Sequence, residues 1–249
     1  MQIKHVTSEP AILYFGTPVL LISTVNEDGS YNLAPNSSAF WLGWRCILGL
    51  DASSKTTENM SRTGECVLNL PSIDCVAAVN RLARTTGSNH VPRHKVARDY
   101  SHEHDKFKSA GLTPVPSQTV LPARVLECPV NMEAVVAARH PMAEEDDALR
   151  GRSITFEVRI KRVHLDQRIL AEGETNRIDP DKWRPLIMSF QKFYGLAPGQ
   201  VHESALSEIP ESLYRSPDID RSRDDSSPQP CSSDNQCKHQ VNIEENHRD

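Results

Sequence analysis

Four polar residues in a row, Ser53, Ser54, Lys55 and Thr56, cluster in a turn just before a stretch, Thr56 to Thr63, that reads as a short helix. Hydroxyls, backbone amides and the positive end of a helix dipole at one place suit a phosphate, and Lys55 adds a point charge. The same residues also read as an ordinary helix N-cap beside a solvated lysine. Upstream, Asn36, Ser37 and Ser38 set short polar groups beside Ala39 and Phe40. They either face a ligand or close a polar turn between strands. Trp41 and Trp44 flank Gly43, where they cover a ligand or, more simply, pack in the core.

A later segment, TTGSNHVPRHKVARDYSHEHDKF, is rich in histidine and arginine. His102 and His104 bracket a glutamate, but no third ligand stands at a metal-site spacing, so a solvated loop carrying His90, His94, His102 and His104 is the expectation. Arg84, Arg93, His94 and Lys95 form a candidate cationic patch for NAD(P)H phosphates or an acidic substrate. Cys46, Cys66, Cys75 and Cys128 sit among apolar residues and read as small buried hydrophobes. Cys231 and Cys237, with His239, fit no zinc spacing, and no metal is expected. The run Glu144 to Asp147 reads as a solvated turn. The chain has no GxSxG elbow, no GxGxxG and no GxxxxGK[ST] loop, so no catalytic residue stands out by motif.

The elements that must position these groups are mostly strands. VLLISTV is a β-rich run, Asp28-Gly29 a turn signal, and Tyr31 to Ala34 leads into a second extended run. CILGLDAS and GECVLNLP read as further strands, the latter ended by Pro71. Ile73 to Leu82 is apolar at helical spacing, with Ser72 near its start. The His/Arg-rich segment then reads as an ordered excursion or lid. CPVNMEAVVAARH and SITFEVRIKRVHL are strands. In the second, Ile154, Phe156, Val158, Ile160 and Val163 share one side. Pro180 to Tyr194 is expected to be partly helical. The fold class is mostly β or α+β, a barrel with inserted and flanking helices.

The 249 residues carry a formal charge of −5, and 38% are hydrophobic. No basic run argues for nucleic acid, and no apolar run is long enough to span a bilayer. The N-terminus lacks the pattern of a secretory signal, so a cytoplasmic protein is expected. Residues 1–215 read as one domain and residues 216–249 as a disordered polar tail, too poor in apolar side chains to offset chain entropy.

From Pro18 to Leu70 six pieces stand in one register: Ser23-Thr24, Asp28-Gly29, Asn32 to Ser37, Lys55 to Asn59 as K-T-x-x-N, and Thr63 to Asn69 as T-G-E-x-V-x-N, with a strand between. This pattern resembles the flavin reductase-like, FMN-binding split-barrel family. Asp105-Lys106-Phe107 with Ala110-Gly111-Leu112 is similar to that family's lid segment, and the likeness runs from about Pro10 to Leu196. It implies a split β-barrel binding FMN through Asn36, Ser37, Ser38, Ser53, Ser54, Lys55, Thr56 and Asn59. Asn36 stands where many members carry an aromatic residue, and Trp41 to Trp44 where they often carry Asp-Pro-Pro. The implied activity is an FMN-dependent oxidoreductase, an NAD(P)H-dependent flavin reductase that supplies free flavin or a partner monooxygenase. The implied assembly is a homodimer. Two alternatives stay open: a flavin-dependent oxygenase or reductase acting directly on a small organic substrate in a biosynthetic pathway, and a flavin-binding module without turnover.

Overall fold

The computed structural model describes residues 3–224. Its strands are β1 (Phe15–Pro18), β2 (Leu20–Val25), β3 (Tyr31–Asn36), β4 (Ala39–Leu42), β5 (Arg45–Asp51), β6 (Glu65–Leu70), the short β7 (Thr85–Thr86), β8 (Ser101–His102), β9 (Pro114–Val115) and β10 (Arg124–Val125), the long β11 (Val130–Pro141) and β12 (Ser153–Leu165), and β13 (Ile187–Ser189) and β14 (Lys192–Tyr194). The helices are α1 (Lys55–Thr63), α2 (Val76–Leu82), α3 (Arg93–Val96), α4 (Lys106–Ala110) and α5 (Pro217–Asp224). A seven-stranded sheet in the order β3-β2-β6-β11-β12-β5-β4 forms the body, antiparallel at every pairing.

Strand β2 explains why both sides of this sheet are covered. Leu20 and Ile22 enter one core with Leu48, Leu68, Phe156 and Val158. Leu21 and neighbouring Val19 enter a second core with Leu33, Val79, Leu82, Phe107 and Leu186. A strand buried on both faces reads as a continuous apolar run, as LLIST does. The alternation expected in β12 holds, with Phe156, Val158 and Ile160 buried.

Polar residues of the quoted motifs tie the strands together. Asn69 donates to the Leu21 carbonyl at 2.9 Å and accepts from the Val125 amide at 2.9 Å and from Asn131 at 3.1 Å. Ser23 donates to the Ala123 carbonyl. Buried polar groups need such partners, and these bonds fix the register of β2, β6, β10 and β11.

Two expectations change. Pro180 to Tyr194 is not helical: β13 and β14 form a hairpin whose turn residues, Phe190 and Gln191, take φ of 45° and 63°. Two positive-φ residues suit the twist of a two-residue hairpin, and β13 is held from outside by β1. The disordered tail expected from Ser216 does not hold for residues 217–224, which form α5. Its Asp218 carboxylate is buried and accepts from Arg45 at 3.0 Å and Arg221 at 2.8 Å. Charge pairs rather than apolar residues seat this helix, which is why hydropathy passed it over. Cys231, Cys237, His239 and the rest of the tail lie outside the described residues.

Candidate functional site

The site grows from the C-terminal end of β3 and the N-terminal end of α1. The Asn36 side chain accepts from the Ser38 amide at 2.8 Å and donates to the Gly49 carbonyl at 3.0 Å. Its polar atoms are thus spent on shaping the turn that presents Ser37 and Ser38. Gly49 packs closely opposite: a Cβ there would lie 3.2 Å from the Ser38 Cβ, so a larger residue would push on the turn. At α1, Ser54 is the N-cap: its hydroxyl accepts from the Thr57 amide at 3.1 Å. The helix stops at Gly64 in the left-handed region, with φ of 71°. Between the two, Asn32 of β3 donates to Thr56 Oγ1 at 3.1 Å and to Thr24 Oγ1 at 3.3 Å.

These groups line a cleft of about 420 Å³, with Val19, Ile22, Leu50, Val79, Leu82, Met188 and Phe193 as its apolar wall. That size is ordinary for a cofactor or small-molecule site. The segment from Thr85 to Lys106 closes the far side and brings Thr86, Gly87, Lys95, Arg98, Tyr100 and Lys106 to the lining. Its base is anchored: Phe107 and Ala110 are buried, and Arg81 of α2 donates to the Ala110 carbonyl. Gly87 lies so close that a Cβ there would fall 2.6 Å from Asn32 Oδ1 and 3.1 Å from Lys55 Cγ.

Among the residues expected at a cofactor, Asn36, Ser37, Ser38, Ser54, Lys55 and Thr56 line this one cleft. Ser53 and Asn59 do not. Ser53 is exposed and donates to Asp51 Oδ1 at 2.6 Å. Asn59 is fully buried beneath α1, where it donates to Thr24 Oγ1 at 3.0 Å and Asn26 Oδ1 at 2.8 Å. Lys55 also differs from its expected part, since its ammonium pairs with Glu27 at 2.7 Å and Glu58 at 2.9 Å. Of the candidate patch, Lys95 alone reaches the cleft lining. His94 bonds Asp51 at 2.9 Å, and Arg84 lies 3.6 Å from Asp99. The charged residues of the lining that sequence reasoning missed are Asp51, Arg98 and Lys106. Lys106 sits in the motif Asp105-Lys106-Phe107, where a lysine between a cap and a core phenylalanine gives no sign that it is buried.

The lining fits a flavin nucleotide. Asn32 Oδ1 is buried without a donor among the described residues, and a ribityl hydroxyl is such a donor. The apolar wall suits a flat ring. The orphan amides of the first turn of α1 and the lid lysines Lys95 and Lys106 suit its phosphate. Among the described residues no group of three or more His, Cys, Asp or Glu side chains is placed to hold a metal ion, and no helix is long and apolar enough to cross a membrane.

Comparison with known proteins places the chain in a family. Residues 12–197 match the flavin reductase like domain, and the chain belongs to that family of flavin-linked oxidoreductases. It is 37% identical over 189 residues to the Bacillus subtilis (strain 168) protein YdfE, covering 76% of this chain and 87% of that one. Its fold is similar to flavoredoxin of Desulfovibrio vulgaris (Miyazaki F), with a TM-score of 0.64, 22% identity, and coverage of 82% of this chain and 98% of that one. It is also similar to nitrilotriacetate monooxygenase component B from Bacillus cereus, with a TM-score of 0.60, 20% identity, and coverage of 76% and 88%. The split-barrel architecture expected from the sequence is the one found.

Proposed function

We propose that the chain binds FMN in this cleft and acts as an NAD(P)H-dependent flavin reductase in the cytoplasm, supplying free flavin or a partner monooxygenase. The observation that carries this reading is the meeting of Ser37, Ser38, Thr56 and the lid cations around one apolar-walled cleft, in a chain of the flavin reductase-like family. Bound there, a flavin supplies two-electron chemistry between a nicotinamide donor and an acceptor. The chain's own residues supply binding and orientation. Ser37 and Ser38 offer hydroxyls that no other described residue engages, Val79, Leu82 and Phe193 exclude water from one wall, and α1 turns its positive end to the ligand. The partner reading is supported by analogy with the component B neighbour, whose name makes it part of a monooxygenase.

A homodimer is part of the same proposal. Strand β4 is an edge of the main sheet and leaves Phe40 and Leu42 exposed at 53% and 73%. Exposed apolar side chains on an edge strand suit a second copy.

The test is an anaerobic absorbance spectrum of the protein reconstituted with FMN, before and after NADH or NADPH. Bleaching of the band at about 450 nm is the expected result. A bound flavin that neither nucleotide bleaches contradicts the reductase reading.

A further inference from the structure

Two of the buried cysteines meet away from the cleft. Cys75 stands where the turn Ile73–Cys75 runs into α2, and Cys128 lies between β10 and β11. Their free thiols hydrogen-bond each other, and the Cys75 thiol also donates to the Glu127 carbonyl at 3.4 Å. Cys75 is 8% exposed and Cys128 3%, so a small oxidant meets Cys75 first. The contact also polarises the pair. Donation from the Cys128 thiol, helped by the Ser72 hydroxyl and backbone, outweighs burial and the charge of Asp74 and brings Cys75 from 9.0 down to about 7. Its bond to Cys75, burial and the charges of Cys75 and Glu127 push Cys128 well up. One sulfur is therefore a thiolate in good part at neutral pH while its neighbour keeps a proton, the arrangement of an attacking and a resolving thiol. Cys46 and Cys66 give the contrast: both are fully buried, and burial pushes Cys46 up to about 12 and Cys66 higher.

We infer that Cys75 and Cys128 form a dithiol that a peroxide oxidises to a disulfide, and that this disulfide fastens the stretch of chain carrying the lid. The Cys75 thiolate attacks one peroxide oxygen: the S–O bond forms, the O–O bond breaks, and the other oxygen leaves as water with the proton that Cys75 had released. The Cys128 sulfur then attacks the Cys75 sulfenic acid: the S–S bond forms, the S–O bond breaks, and the hydroxyl leaves as a second water with the Cys128 proton. The two thiols are oxidised and the peroxide is reduced to water. In the chain the pair brackets α2, the lid, α4, β9 and β10, and α2 carries Val79 and Leu82 to the cleft wall. The bond closes that whole stretch into one loop, which restricts the unfolded chain. None of this depends on the flavin reading.

The experiment treats the reduced, full-length protein with hydrogen peroxide, alkylates the remaining thiols in denaturant, digests without reductant and sequences the linked peptides by tandem mass spectrometry. The expected product is Cys75 joined to Cys128, with Cys46 and Cys66 alkylated, and dithiothreitol should reverse the link. In Cys128→Ser the Cys75 sulfenic acid should persist and take up dimedone; in Cys75→Ser neither label nor link should form at Cys128. The oxidised wild type should unfold roughly 5 °C or more above the reduced protein. Because the link is read on wild type, a variant that fails to fold leaves the test standing. Alkylated Cys75 and Cys128 after peroxide, a link from either to another cysteine, or an oxidised protein that melts no higher than the reduced one overturns the inference. The flavin reading stands or falls separately, on the bleaching experiment.

Discussion

The Asn32 amide donates to Thr56 Oγ1 across 3.1 Å, a buried bond that joins the start of β3 to the first turn of α1. The same side chain turns its oxygen toward Gly87 of the lid. One residue therefore sets the spacing of all three walls. Asn32→Ala should cost on the order of 1–3 kcal/mol in urea unfolding and weaken FMN binding as well. A variant with lower stability but unaltered FMN affinity would separate Asn32 from the site.

Gly87 tests the lid's approach. A Cβ there meets Asn32 Oδ1 at 2.6 Å, so Gly87→Ala must displace either the lid or the asparagine. We expect a stability loss of about 1–3 kcal/mol and an FMN affinity lowered roughly tenfold. Unfolding curves and flavin titration that superimpose on wild type would show that the lid sits further out.

Glu133 predicts an acid limb. Its side chain is fully buried, and burial alone raises a carboxyl pKa; the bonds from His164, Thr119 and the Gln118 and Thr119 amides outweigh this and bring it from 4.5 down to about 2. A depressed carboxyl stabilises the fold fully above its unfolded pKa. That contribution, on the order of 3 kcal/mol, is lost as pH falls from about 4.5 through about 2. Glu133→Gln should be less stable at pH 7 by a similar amount and show a flatter acid limb. Parallel pH-stability curves for the two proteins would rule the linkage out.

Arg45 holds α5 through Asp218, and its guanidinium also meets Glu157 at 2.5 Å. Arg45 is about a third exposed, so the pair is worth no more than about 1 kcal/mol. Arg45→Ala should leave FMN affinity unchanged and speed trypsin cleavage after Arg221. Unchanged cleavage would mean that the helix is seated by something other than this pair.

What was legible in the sequence is what local pattern determines. The alternation of Ile154 to Ile160 gave β12, and the polar turn before Thr56 marked the start of α1 to within a residue. The unread parts depend on distant residues. Lys55 reads as a free cation until Glu27, on the turn before β3, is seen beside it. Asn59 reads as a ligand-type residue because its motif neighbours the cleft, yet it is spent on buried bonds to Thr24 and Asn26. Lys106 looks like a surface lysine because its burial is made by the lid's return onto α2. The β13–β14 hairpin escaped notice because Phe190 and Gln191 rarely take positive φ without a strand such as β1 to hold them.

The central claim is that flavin occupies the cleft between β3, α1 and the lid. Its most direct test is equilibrium dialysis of FMN against wild type and Ser38→Trp, whose indole would fill the cleft beside Gly49, with thermal unfolding confirming that both are folded. The account predicts saturable FMN binding by wild type and none by the variant. Equal binding by both would contradict it.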